Sequence, residues 1–246
     1  MSIVPKEWQL KTRSFAKTIV DLCFLSKLRL DKQALDKLHT LPDLLPVLCR
    51  FRGKGTFVAN QEPEELSVLC EFLLANPPRV VVEIGTAKGG TLYLWSRIVA
   101  PGALLVSIDK PGEVGSVGRP ALSVYKRFGQ ERGIQVVTLP VDSHSENAHK
   151  RVREILGGRP VDFLFIDGDH TYEGVKADFY GYRHYMAPKG IIALHDVMAA
   201  PDDPRIEVGR FWAELQAQAP ATRTVAAKAE SPGIGVVFLE QGVSAS

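Results

Sequence analysis

From about residue 62 onward, short apolar runs alternate with longer amphipathic stretches. Val80-Val81-Val82 reads as a buried strand, and Ala103 to Ile108, Gln135 to Leu139, Val161 to Ile166, Gly190 to Leu194, Thr222 to Ala227 and Ile234 to Leu239 read the same way. Most of these runs are apolar at successive positions, not at every second one, which predicts strands covered on both faces. Helix-length segments near Thr91 to Val99, 120 to 131, 145 to 156, 172 to 186 and 204 to 217 fill the gaps. Pro63-Glu64-Glu65 opens a further helix through Leu74, since proline is tolerated in a first turn and carboxylates favour the positive end of the dipole. The alternation predicts an α/β fold with an open, mostly parallel sheet of seven strands and helices on both faces.

The first sixty residues follow another pattern. Trp8, Phe15, Ile19, Val20, Cys23 and Leu25 recur at roughly helical spacing, and Ala34, Leu35 and Leu38 suggest a second short helix. Residues 1–60 carry eleven Lys and Arg against five Asp and Glu, whereas the remainder carries nineteen against twenty-three. The reading is an N-terminal helical extension (1–60) followed by an α/β domain (61–246), with Phe51 to Thr56 as connector. The basic side chains interleave as a solvated helix face would require, so an RNA-binding arm is the weaker alternative. A homo-oligomer through the N-terminal helices is compatible with this pattern.

Composition narrows the classes. With 246 residues, 45% apolar and 24% charged, the chain has the make-up of a folded domain. A net charge of +2 gives no case for a nucleic-acid partner. No apolar run reaches the roughly 18 residues that span a bilayer, and Met1 to Lys6 lacks a signal-type apolar core. The expectation is a cytoplasmic protein with no membrane partner. Cys23, Cys49 and Cys70 sit among apolar neighbours without metal-type spacing, and are expected to be buried, reduced thiols.

The first strand leads into Val82-Glu83-Ile84-Gly85-Thr86-Ala87-Lys88-Gly89-Gly90-Thr91. Turns of this kind face the crevice beyond the carboxyl ends of the strands. Gly85 and Gly89 remove Cβ atoms so that backbone can approach a ligand, and the helix start offers N–H groups to an anion. The glycine spacing does not fit G-x-G-x-x-G, and an acid directly before the first glycine would repel a pyrophosphate but suit a cationic ligand. Asp109, twenty-six residues after Glu83 at the end of the second strand, is placed to accept the hydroxyls of a ribose. Asp142 and Ser143 follow the third strand and can meet an adenine edge; Asp-Ser as a helix N-cap is the competing reading. Together these features describe a nucleoside carrying a positive charge.

Over roughly residues 62–240, the sequence resembles the class I S-adenosylmethionine-dependent methyltransferases, including a late Gly233-Ile234-Gly235-Val236-Val237 strand. The resemblance implies a Rossmann-like fold with S-adenosylmethionine as cofactor. Glu83 would serve the amino-acid end directly or through the loop, with Gly85, Thr86, Gly89 and Thr91 around it, Asp109 on the ribose, Asp142 and Ser143 on the adenine, and Asp167 at the border of the site. Ala87 stands where many members have glycine, a departure that catechol-type O-methyltransferases tolerate.

The densest chemistry lies in Phe165-Ile166-Asp167-Gly168-Asp169-His170-Thr171 and in Ala193-Leu194-His195-Asp196-Val197, at the ends of adjacent strands. Carboxylates crowded at one rim repel unless a cation neutralises them, and oxygen ligands suit Mg²⁺. This segment resembles the metal-dependent O-methyltransferases of small-molecule tailoring, of the catechol, macrolide or sugar and cephalosporin-hydroxylase types. That resemblance implies metal ligands at Asp167, His195 and Asp196, with His195 a mismatch that Asp169 could replace. It also places His170 at the position of the base that takes the acceptor's proton. The competing reading makes Asp169 and His170 caps of the next helix. The expected function is methyl transfer to a hydroxyl of a small molecule: a sugar, macrolide or phenol. The rivals are a metal-independent enzyme of the same fold, a nucleic-acid modifier, and a cofactor-binding protein without turnover. His39, His144, His149 and His184 are read as surface or satisfied-core residues without a carboxylate partner.

Overall fold

The computed structural model describes residues 22–49, 56–112, 119–198, 203–218 and 221–240. Trp8, Phe15, Ile19, Val20, nearly all of the Phe51–Thr56 connector and the glycine-rich 113–118 stretch lie outside these residues. The first described element is helix α1, residues 22–36. It absorbs Ala34 and Leu35, so the second short helix expected there is the end of the first. The second helix is α2, Leu41–Cys49, which periodicity missed because Pro46 sits inside it. Then come α3 (Pro63–Leu74), β1 (Val80–Ile84), α4 (Gly90–Ile98), β2 (Leu104–Ile108), α5 (Arg119–Tyr125), β3 (Gln135–Leu139) and α6 (Glu146–Leu156). The chain continues with β4 (Val161–Ile166), α7 (Tyr172–Arg183), β5 (Met186–His195), α8 (Val208–Gln218), β6 (Thr222–Val225) and β7 (Ile234–Phe238).

The sheet has seven strands in the order β3-β2-β1-β4-β5-β7-β6. β1 to β5 pair in parallel, β7 runs antiparallel to β5, and β6 antiparallel to β7. β1, β2 and β4 are buried almost throughout because alternate residues enter opposite cores. On one face Val81, Leu105, Phe163 and Phe165 join Leu28, Leu44, Leu48, Leu69 and Trp95 from the first four helices. On the other, Val82, Val106, Leu164 and Ile192 join Val152, Phe179 and Phe211 from α6, α7 and α8. This double burial is what the continuous apolar runs require. The N-terminal helices thus contribute to the core on one face of the sheet.

The thiols depart from expectation. Cys70 is buried and Cys49 half-buried, and desolvation pushes both thiols up to about 12. Cys23 is exposed, because it falls on the outer side of α1.

Candidate active site

The parallel register gathers the site. Ile84 pairs with Ile108 and with Ile166, and Ile166 with Leu194. The residues that follow, Gly85, Asp109, Asp167 and His195, therefore emerge along one edge.

The loop after β1 is held from below. Glu83 is fully buried; its carboxylate accepts from Trp95 Nε1 at 2.9 Å and Ser107 Oγ at 2.8 Å, and the Thr91 hydroxyl also bonds to it. Burial pushes Glu83 up to about 7 against these hydrogen bonds. The carboxylate of Glu83 thus points into the protein beneath the loop. Asp109 Oδ1 accepts the backbone N–H groups of Thr86 at 3.2 Å and Ala87 at 3.4 Å, and Thr86 Oγ1 bonds Ser107 Oγ.

The glycines are required by protein neighbours. A Cβ on Gly85, where φ is +93°, would stand 2.0 Å from the carbonyl oxygen of Asp167. One on Gly89 would stand 2.7 Å from the Tyr125 ring. Ala87 adopts φ +41°, the left-handed region in which glycine is at ease, which accounts for glycine as the alternative residue there.

After β3, the cap of α6 is Ser145, whose Oγ accepts from Ala148 N at 3.1 Å. The capping alternative for Asp142 and Ser143 therefore falls one turn of sequence away. Asp142 Oδ1 accepts from His144 N at 3.0 Å, and Lys110 Nζ lies 3.4 Å from Oδ2. His144 corrects the sequence reading: its Nε2 lies 3.1 Å from the buried carboxylate of Asp178.

At the acidic edge, Asp167 and Asp196 lie between two imidazoles. His195 Nδ1 is 3.1 Å from Asp167 Oδ1 and 3.3 Å from Asp196 Oδ2; His170 Nε2 is 3.6 Å from the same Asp167 oxygen and 3.0 Å from Asp196 Oδ2. Asp167, His170 and Asp196 present ligand atoms that all lie within 4.8 Å of one another. That donor set suits a divalent cation. His195 is only 4% exposed, and its Nε2 is buried without a hydrogen-bond partner among the described residues. Against desolvation, the Asp167 and Asp196 carboxylates push His195 up to about 10, so its Nδ1–H is turned to the aspartates. His195 then orients the carboxylates, and His170 is the third donor in range. Asp196 sits at φ +60°, a conformation that aspartate tolerates better than most residues.

The cap of α7 is Thr171, not Asp169, whose Oδ1 accepts from Thr171 N at 2.9 Å. Asp169 bonds Thr171 and is not among the clustered donor atoms. His170 is not a cap; its side chain, 41% exposed, turns to the two aspartates, which push it up to about 10.

The sequence reading passed over Gln61 and gave Glu65 only a part in opening a helix. Gln61 Nε2 donates to Asp167 Oδ2 at 2.8 Å. Glu65 Oε1 accepts from Gly233 N at 3.2 Å and Ala227 N at 3.3 Å, while Pro232 O accepts from Met198 N at 2.8 Å. The start of α3 thereby braces both strand ends. The available signal was four charged or amide residues in Gln61-Glu62-Pro63-Glu64-Glu65, of which the helix dipole accounts for only part.

Residues 82–197 match the family model described as a methyltransferase domain. The fold is shared with an O-methyltransferase from Bacillus cereus in complex with SAH, at 19% identity and TM-score 0.53, covering 88% of this chain and 100% of that one. It is shared also with the O-methyltransferase TomG from Streptomyces achromogenes, involved in tomaymycin synthesis and in complex with SAM, at 18% identity and TM-score 0.53, covering 89% of this chain and 90% of that one. Over residues 82–197 the chain is thus similar to methyltransferase domains, and its fold is the one seen in these two O-methyltransferases. Among curated sequences it is 29% identical over 150 residues to the uncharacterized protein y4gI of Sinorhizobium fredii (strain NBRC 101917 / NGR234), 58% of this chain and 16% of that one. It is also 29% identical over 148 residues to the uncharacterized protein R132 of Acanthamoeba polyphaga mimivirus, 55% of this chain and 60% of that one. The chain thus spans less than two thirds of the length of these relatives.

Proposed function

We propose that this protein transfers the methyl group of S-adenosylmethionine to a hydroxyl of a small molecule such as a sugar, macrolide or phenol, with Asp167 and Asp196 holding a divalent cation, in the first instance Mg²⁺. The observation that carries the reading is the clustering of Asp167, His170 and Asp196 on the same sheet edge as the Gly85–Gly89 loop. The structural neighbours named as O-methyltransferases in complex with SAH and SAM support the cofactor and the acceptor atom.

Bound there, the cofactor supplies an electrophilic methyl on sulfur, and the cation supplies a Lewis acid that lowers a hydroxyl's pKa. The chain's own residues supply the rest. Gly85 to Thr91 and Asp109 seat the nucleoside, and Asp142 with Ser143 meets the adenine. Asp167 and Asp196 fix the acceptor edge, steadied by Gln61 and His195. With a cation held by the two carboxylates alone, His170 Nε2 is left to accept the hydroxyl proton. Two adjacent carboxylates keep that imidazole protonated, so it is competent as a base near neutral pH only when their charge is taken up.

A second reading has a specific observation behind it. Two imidazoles already flank the two carboxylates, and as imidazolium ions they would balance the charge without metal. The enzyme would then act by positioning alone. Calorimetric titration with S-adenosylhomocysteine, with and without Mg²⁺, followed by a screen of hydroxylated metabolites, separates the readings. Asp167→Ala and Asp196→Ala are expected to abolish metal-stimulated turnover while leaving cofactor binding largely intact, and His170→Ala to lower the rate with little change in cofactor affinity. Full activity after chelation would leave the metal-free reading. No binding of S-adenosylhomocysteine would remove both.

A further inference from the structure

The loop after β3 and helix α7 are far apart in sequence, yet three contacts bind them. His144 Nε2 lies 3.1 Å from Asp178 Oδ1 and 3.2 Å from the carbonyl of Gly174, and Tyr182 Oη donates to the carbonyl of Ser143 at 2.9 Å. The Asp178 side chain is fully buried, and neither of its oxygens has a well-aligned hydrogen bond among the described residues. A carboxylate at such depth is costly unless a cation accompanies it. It adjoins the turn that carries Asp167: a Cβ built on Gly168 would lie 3.7 Å from Asp178 Oδ2. The same loop carries Asp142 and Ser143, which the proposed function assigns to the adenine.

We propose that His144 and Asp178 are positioning residues for the cofactor: their ion pair clamps the Asp142–Ser145 loop onto α7 in the conformation that meets the adenine, so that cofactor affinity depends on the pair being charged. The inference rests on the methyltransferase reading above.

The groups around His144 favour its charged form. Asp178 approaches from α7, Asp142 from its own loop and Asp169 from the turn after β4, and together they push the imidazole up to about 9 against desolvation. Lys110 is paired with Asp142, and His149 on α6 opposes the charged form. A histidine raised in this way contributes fully below its unfolded value of about 6.5, and the contribution is lost as pH rises through about 9. By reciprocity, a cofactor that prefers the charged pair raises His144 further, by about one pH unit for each tenfold in affinity.

The test combines NMR titration of the six histidines with calorimetric binding of S-adenosylhomocysteine across pH. In the wild type, His144 is expected to titrate near 9 and to move upward when the ligand binds. Asp178→Asn should return it to about 6.5 and weaken binding about tenfold near neutral pH, with the ratio to wild type shrinking toward one as pH passes about 10. The ligand's own amine titrates alike in both proteins and cancels in that ratio. Tyr182→Phe removes a loop contact without touching the pair, so its ratio should not change with pH. His144→Gln must reproduce the shrinking ratio, and serves if Asp178→Asn fails to fold. A wild-type His144 with an ordinary titration, or a ratio independent of pH, overturns the proposal alone. Failure of the wild type to bind the ligand overturns the cofactor reading and this one with it.

Discussion

Glu83 is an acid with no exposure, no basic partner among its contacts, and three donors around its carboxylate. Burial outweighs those hydrogen bonds and lifts it to about 7. The sign follows from linkage. A carboxyl raised above its unfolded value of about 4.5 binds a proton more tightly when folded, so its contribution is present below that value and is lost as pH rises through about 7. Glu83→Gln keeps an acceptor for Trp95 and removes the titration. It should be more stable than wild type by roughly 3 kcal/mol at pH 8, with the gain vanishing toward pH 4. Urea midpoints at the two pH values check this; equal gains at both would show that Glu83 does not titrate in this range. The glutamine should also weaken S-adenosylhomocysteine binding, because Thr91 and Ser107 lose a charged acceptor.

The element that joins β1 to α4 is built on backbone freedom. Gly85 combines φ +93° with an Asp167 carbonyl where its Cβ would be, so Gly85→Ala adds a steric clash to left-handed strain. Gly102 also has positive φ, +74°, but nothing stands within 4 Å of a Cβ there. Gly102→Ala should therefore cost only the backbone term, about 1–2 kcal/mol. Gly85→Ala should cost roughly 3 kcal/mol or more, and should reduce cofactor affinity as the turn shifts against Asp167. Denaturant midpoints of the pair isolate the packing term. Similar costs would mean that the β1 and β4 turns yield to each other without strain.

At the scale of the whole molecule, the start of α3 reaches the far side of the site. Gln61 holds Asp167, and Glu65 holds the Ala227–Gly233 turn that carries Met198, two residues after Asp196. Gln61→Ala leaves an Asp167 oxygen without its donor, and should cost about 1–3 kcal/mol of stability. Turnover should fall by more than that loss of folded protein explains. A wild-type rate per folded molecule would reduce Gln61 to packing. The extent of the fold that could be read in advance follows from burial. Strands sealed on both faces must be apolar at every position, so Val80 to Val82, Val161 to Ile166 and their neighbours were legible, and strand ends carrying Glu83, Asp109, Asp167 and Asp196 stood out against them. Helix α2 was not legible, because Pro46 breaks the helical pattern and tertiary packing of Leu44, Leu45 and Leu48 overrides it. Nor was the pairing of His144 with Asp178, or of Gln61 with Asp167, since residues 34 and 106 positions apart share no local period. The amino-acid order by itself determined which residues lie on strands and which chemical groups end them, because alternation and turn chemistry are local properties. Only the tertiary structure decided that His170 and not His195 faces outward with the aspartates, and which buried charges meet, because those outcomes depend on the register and crossing of elements distant in the chain.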